Sequence, residues 1–489
     1  MKIFSIRPEA SNFSAAFSCF WQTAVKILPL IVIVISLTFL LNSRISAQDR
    51  EKSVNLHLEK EINSSLQQDL IYDFYERRDY APLWVDGNKL TETGEEVYAI
   101  ISQAQKFGLN PGDYNYDKIN DLWLGLRYQS PDEFPPAQAA ELEIIITEGL
   151  VNLTGDLARG RLNPDSYTRR MPSLKIAPEV SLVFSAAREE ENLTEVLNSI
   201  QPRHPQYQKL LEINQAVQQG EKNLTPKEEN ILAANLEKWR WAGENSPGTS
   251  ERHVYVNLPS FTAQVYEDSE IVLDMKTIIG RRAHPTPEMN KILTHLTISP
   301  RWYMPRSIAL RDHLPKIKED QDHLERGGYR VYQEDDSGRF VEIDPDDINW
   351  DEKDASNFDY YLWQDAGPDN ALGRVVFRFP NHQSIYLHDT PDRHLFNLET
   401  RAESSGCIRI NKPMELTSYL LQDQAHWDLK RINDKIRDRQ ETTIYINNPI
   451  PIHLSYFTAG VSQSGELEFY DDIYNRMTDL KNVLERMDD

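Results

Sequence analysis

Leu142, Ile146, Leu150, Leu153 and Leu157 recur at spacings of four and three, which places them on one stripe of an α-helix. Gly160 follows where a helix C-cap belongs, with Pro164 just beyond it. Further on, Thr225-Pro226-Lys227-Glu228 combines a capping box with proline at the first helical position. It opens a helix whose apolar face includes Leu232, Leu236 and Trp239. From Glu51 to about Ser246 the pattern stays helical and contains no catalytic constellation. It reads as a scaffold.

After Pro247-Gly248 the apolar runs shorten and turn signals multiply. Val254–Leu258, Thr262–Tyr266 and Ile271–Leu273 read as strands of an antiparallel β domain, and Met275–Gly280 continues them. Residues 306–361 turn polar, acidic and helix-leaning, an insertion that reads equally as a lid or as a solvated excursion. Strands resume at Val375–Phe379 and Ser384–His388, joined by Pro380-Asn381, and recur at Thr443–Ile446 and His453–Tyr456. An acidic helical tail closes the chain. No internal repeat is visible.

Ahead of all this, Lys2, Arg7 and Lys26 precede an apolar run from Ile27 to Leu41, followed by Ser46-Ala47 and the polar Gln48-Asp49-Arg50. That order is the grammar of a secretory signal, and the run is short for a membrane span of roughly 20 apolar residues. Residues 1–47 are therefore read as a signal peptide or an N-terminal membrane anchor. Either one places the remainder outside a membrane, in the periplasm or cell envelope. The only expected membrane contact is this segment.

Composition changes the picture in two respects. The formal net charge of -23 lacks the basic footprint of a nucleic-acid binder. The 2 cysteines, Cys19 and Cys407, supply neither a disulfide framework nor a Cys-rich zinc site. Loss of the leader would leave Cys407 alone in an exported chain. A lone thiol there is reactive, an intermolecular link, or an inert buried side chain.

The neighbours of Cys407 argue for reactivity. Alternation in Ser384-Ile385-Tyr386-Leu387-His388 sends Ile385 and Leu387 to the core, and Tyr386 and His388 toward a cleft. Ser404-Ser405-Gly406-Cys407-Ile408-Arg409 then puts a flexible glycine just before the thiol and a cation just after it. A nearby imidazole promotes the thiolate, and backbone N–H groups around Gly406-Cys407 suit an oxyanion. His388, Asp389 and His394 fit no usual zinc spacing, and His313 and His323 read as solvated surface histidines.

His388-Asp389-Thr390 followed by Ser404-Ser405-Gly406-Cys407-Ile408-Arg409 resembles the signature of the L,D-transpeptidase family with its YkuD-type catalytic domain. Gly367–Arg374, Phe379-Pro380-Asn381, Asn257–Phe261, Trp302–Ile308 and Asn235–Trp241 are similar to the large, YcbB-like branch. Pro82-Leu83-Trp84 and Gly108–Pro111 resemble that branch's scaffold. The implied fold is α+β: a helical scaffold over 48–246 and a mostly antiparallel β-sandwich catalytic domain over 250–456. A capping subdomain would lie at 306–361, and the tail 457–489 would pack on or near the scaffold.

The resemblance implies Cys407 as nucleophile, His388 as general base and acid, and the Asp389 backbone carbonyl as the group orienting His388. It implies Tyr386, Ser405, Gly406 and Arg409 at the oxyanion and substrate site. The residue two before the cysteine is His in many smaller relatives, and here it is Ser405. The peptidoglycan-binding module usual in the large branch has no room between Lys209 and Thr225. The implied reaction needs no cofactor or metal. A thioester forms on the third residue of a tetrapeptide stem, D-Ala leaves, and an amine of a second stem takes the acyl group to give a 3→3 cross-link. A hydrolase using the same acyl-enzyme, or a scaffold protein without catalysis, is the alternative. Implied partners are peptidoglycan stem peptides, other cell-wall synthesis enzymes and, as inhibitors, carbapenem-type β-lactams.

Overall fold

A computed structural model describes residues 52–60, 68–128, 135–170, 177–241, 251–320 and 322–488, together with Ser36 and Ile62. The expected leader at 1–47 and the Pro247-Gly248 junction lie outside the described residues, Ser36 apart. No helix among the described residues is long and apolar enough to cross a membrane.

The chain divides into two compact units. The first comprises the described residues up to Ala104, Asn110–Gly155 and Met171–Ser199. Its main element is the helix Pro136–Arg159 up to Gly155, the last turn belonging to the second unit, and the predicted stripe along the helix is buried. Glu143 on that helix is also buried. Its carboxylate accepts the N–H groups of Leu83, Trp84 and Val85 and the Tyr75 hydroxyl. Burial pushes its pKa up to about 7 against the pull of those donors. The Trp84 indole donates to Thr147 one turn along at 2.8 Å, so the Pro82-Leu83-Trp84 segment is tied to the helix by polar bonds inside an apolar core. Each orphaned donor would cost about 1–3 kcal/mol.

The second unit comprises Gln105–Leu109, Asp156–Arg170 and Ile200–Asp489. The helices Pro205–Gln218 and Pro226–Arg240, grouped with the scaffold by their texture, therefore belong with the β domain. Polar matching explains this. Asn235 accepts the N–H groups of Thr458 and Ala459, Glu237 accepts that of Leu162, and Trp239 stacks on Phe457 at 4.1 Å. The Thr225 capping box forms as expected, with both reciprocal bonds present. The tail helix Thr478–Asp488 packs against Pro226–Arg240 and sinks Leu480 and Leu484 into the β-domain core.

That core is wrapped by nine strands. In chain order, those used below are β1 (Arg252–Asn257), β2 (Thr262–Glu267), β3 (Glu270–Gly280) and β4 (Met289–Ile298). Next come β5 (Trp302–Tyr303), β6 (Tyr329–Glu334), β7 (Phe340–Ile343) and β8 (Tyr360–Gln364). Last are β9 (Val375–Arg378), β10 (Leu387–His388), β11 (Ala402–Ser404), β12 (Ile408–Ile410) and β13 (Thr442–Ser455). The main sheet runs β11-β3-β12-β10-β9-β4-β13-β1-β2, and β2 also pairs with β3, which closes the strands into a circuit. Most pairs are antiparallel. The parallel ones are β10 with β12, β11 with β3, and β13 with β1.

Three local expectations change. The insertion is less helical than its composition suggests: β5, β8, β6 and β7 form a separate four-stranded sheet, with helical turns at Arg306–Glu319 and His323–Arg326. Strand Ser384–His388 shrinks to Leu387–His388, because Ser384 adopts φ 55°. The two strands expected at Thr443–Ile446 and His453–Tyr456 are one, β13, with a register shift between Tyr445 and Ile450.

Candidate active site

The register of the central strands builds the site. In the antiparallel pair β9–β10, Val376 lies opposite His388 and Phe377 opposite Leu387. In the parallel pair β10–β12, Leu387 matches Ile408 and His388 matches Arg409. Period two sends Phe377, Leu387 and Ile408 into the core, where all are buried. The other face therefore carries two rows across three strands. One row is Val376, His388, Arg409; continuing the same register one residue beyond the paired positions gives a second, Arg378, Tyr386, Cys407, whose members touch in turn. The thiol thus sits beside Tyr386 and one pleat from His388.

Cys407 is half-buried. Its thiol faces the Ser384 carbonyl at 3.7 Å, and it is hydrogen-bonded to both the backbone N–H and the phenol of Tyr386. The left-handed conformation of Ser384 brings that carbonyl to the thiol. Burial pushes the thiol pKa up, against the pull of the Tyr386 donors and of the Arg378 and Arg409 cations. His388 is buried rather than open to a cleft. Its Nδ1 lies 2.6 Å from the Asp389 carbonyl, which fixes Nδ1 as the protonated nitrogen and leaves Nε2 as the base. Desolvation, with Arg409 and Arg378 nearby, lowers its pKa to about 3. Both groups are therefore uncharged at rest near neutral pH.

The Asp389 side chain is engaged elsewhere. Its carboxylate is clamped between Arg374, at 2.7 Å, and Arg393. Gly373 makes this possible: it sits at φ 61°, and a Cβ there would come within 2.6 Å of the Asp389 side chain.

The turn before the thiol is closed by Ser404, whose hydroxyl donates to the Cys407 carbonyl at 2.5 Å and accepts the Gly406 N–H at 3.1 Å. The Gly406 N–H is thus already engaged, so the expected pair of free N–H groups at Gly406-Cys407 does not form around Gly406. Gly406 sits at φ 122° and packs on Gly280, where a Cβ would lie 3.1 Å from the Gly406 Cα. Ser405 is exposed and accepts from Arg311 of the insertion at 3.0 Å. Arg409 pairs with Asp392 at 2.9 Å.

Several participants escaped the sequence reading. Trp302 donates to the Tyr386 phenol, and Trp302 belongs to the insertion's own core, which also takes in Val376. Arg378 lies over the Tyr386 ring, 5.1 Å from its centroid. His313 is no surface histidine: it is buried, lies 3.1 Å from His323, and contacts the rings of Trp302 and Tyr329. Burial lowers its pKa to about 4.

Comparison with known families bears directly on this arrangement. Residues 251–446 match the L,D-transpeptidase catalytic domain of the YkuD family. The second unit carries an L,D-transpeptidase catalytic domain. Residues 69–212 match the Scaffold domain that accompanies it in the YcbB-like architecture. A Haemophilus influenzae protein named “Putative L,D-transpeptidase” is 36% identical over 253 residues, covering 51% of this chain and 49% of its own. The chain thus spans about half the length of that relative. Among solved structures, an L,D-transpeptidase from Mycobacterium smegmatis aligns at 13% identity over 42% of this chain and 58% of its own, with a TM-score of 0.19. The Ldtfm–avibactam carbamoyl enzyme aligns at 9% identity over 46% and 62%, with a TM-score of 0.17. Those two superpositions are too loose to carry an argument about the site. The matched segment contains Tyr386, His388, Cys407 and Arg409.

Proposed function

We propose that this protein is a peptidoglycan L,D-transpeptidase of the exported cell envelope that uses Cys407 as a covalent nucleophile. The supporting observation is the row that sets Cys407 beside Tyr386 and one pleat from a neutral His388 held through Nδ1 by a backbone carbonyl.

The chemistry follows from those protonation states. His388 Nε2 takes the thiol proton as Sγ attacks the carbonyl of the third stem residue. A C–S bond forms, the C–N bond breaks, and the proton passes to the departing D-Ala amine. The thioester is then attacked by an amine of a second stem, whose proton returns through His388 to the regenerated thiol. The Tyr386 phenol, which accepts from Trp302 and bonds the thiol at rest, would turn its proton to the developing oxyanion as the sulfur attacks. The insertion touches the turn through Arg311 on Ser405, and exclusion of water by it would favour an amine as acceptor. Carbapenem-type β-lactams would acylate the same thiol.

The test is incubation of the purified protein with tetrapeptide muropeptides, followed by mass analysis. Cross-linked dimers with loss of one D-Ala are expected. Tripeptides alone would show that water is the acceptor and would overturn the transferase reading.

A further inference from the structure

A donor that loses only its terminal residue presents a free carboxylate one residue beyond the carbonyl under attack. Neutral Cys407 and neutral His388 offer that carboxylate nothing. Most arginines of the surrounding strands and turns are committed to carboxylates. Arg409 is paired with Asp392, Arg281 and Arg311 with Asp312, and Arg374 and Arg393 with Asp389.

Arg378 differs. It ends β9, and its guanidinium reaches the ring of Tyr386, the residue just before β10 whose phenol bonds the Cys407 thiol. Among the described residues it makes no ion pair. Its guanidinium is held over the Tyr386 ring at 5.1 Å, a contact that leaves the N–H edge of the fork free. Its positive potential is felt at Cys407, at His388 and at His295, its cross-strand neighbour on β4. It is half-buried, so its charge is only partly screened.

We infer that Arg378 is a specificity residue that binds the C-terminal carboxylate of the donor stem beside the scissile bond. The inference rests on the transpeptidase reading above. Two strand spacings separate the backbones of Arg378 and Cys407, roughly 10 Å. The side chain leans back over Tyr386 and closes much of that span, leaving room for the single residue that separates attacked carbonyl from carboxylate. A planar fork engages a carboxylate by two parallel bonds. The same contact would exclude donors whose chain continues past that residue.

The test uses the full chain and three donors: a tetrapeptide stem with a free C-terminus, the same stem as C-terminal amide, and a free-acid stem whose glutamyl α-carboxylate is amidated. Acyl-enzyme formation is followed by intact mass to give kcat/KM. The wild type is expected to prefer the free acid over its C-terminal amide by on the order of 10- to 100-fold, the worth of one charge-assisted bidentate contact. Glutamyl amidation should change little. Arg378→Gln should lower kcat/KM for the free acid far more than for the amide, chiefly through KM, so that the preference between them collapses toward one. Arg378→Lys, which keeps the charge but loses the fork, should retain part of the preference; with an unchanged melting temperature it also serves if Arg378→Gln folds poorly.

Equal slowing of both donors by Arg378→Gln would overturn the inference, since that is the mark of a structural role. So would a preference that survives in both variants, or one that follows the glutamyl carboxylate. Acylation of the wild type by all donors with no preference defeats this inference alone. No acylation by any donor defeats the transpeptidase reading and the inference with it.

Discussion

Cys407→Ala is expected to abolish acylation, with a loss on the order of 10⁴-fold or more in covalent labelling by tetrapeptide stems and by a carbapenem. The substitution removes the sulfur that would form the thioester at this site. It touches little of the fold, because the turn around it is held by neighbours. Ser404 closes the turn, Gly406 rests on Gly280, and Ile408 anchors β12 in the core. A melting temperature close to wild type with no mass adduct is the combined signature. Retention of an adduct on the alanine variant would place the nucleophile elsewhere.

The second large effect concerns His388. Replacing it with alanine should slow acylation by on the order of 10²–10⁴, the range for a positioned general base. The pH profile tests the assignment more sharply. The pKa of His388 is lowered to about 3 and that of the thiol is raised. The reacting form holds one proton between the two groups and persists from above the lower pKa to below the upper. The rate of acylation should therefore stay level from about pH 5 to 8, with no inflection near 6.5. A preformed thiolate–imidazolium pair would instead require a raised imidazole and a lowered thiol pKa. An inflection between pH 6 and 7 in kcat/KM for a carbapenem would show that His388 is more solvated than its burial indicates.

The same shift bears on stability. Unfolded His388 titrates near 6.5 and the folded residue near 3, so its contribution is present above pH 6.5 and is lost as the pH falls toward 3. His453, lowered to about 4 by burial, acts in the same direction. Each imidazole loses about 2 kcal/mol of that contribution between pH 7 and pH 5. The transpeptidase domain should accordingly melt earlier at pH 5 than at pH 7 in a calorimetric scan. A flat melting temperature over that range would contradict the burial of both imidazoles.

What the sequence disclosed, it disclosed through local pattern. Tyr386, His388 and Cys407 stand in short segments whose alternation and glycine could be read without a structure. The capping box at Thr225 and the stripe from Leu142 to Leu157 were legible in the same way. What stayed hidden depends on strand order. Arg378 and Tyr386 are eight positions apart, and their contact exists only because β9 and β10 pair in one particular register. Arg311 reaches Ser405 across 94 residues of chain. His313 looked like a surface histidine because it follows Asp312, yet the rings of Trp302 and Tyr329 pack against it. Ser384 was read as strand from alternation alone, and nothing in its own type announces a left-handed backbone.

The makeup of the second unit has a consequence for how small a working piece of this protein can be. Its core includes Leu162 and Ala234, and its polar lattice includes Glu237, Asn235 and Gln206, all upstream of the segment that matches the catalytic family. A fragment starting at residue 251 would leave the N–H groups of Thr458, Ala459 and Val461 without acceptors and would strip Phe457 of its Trp239 cover. The smallest piece that keeps these buried partners together therefore begins upstream of Leu162 rather than at residue 251, and a version cut at 251 should melt well below the full chain.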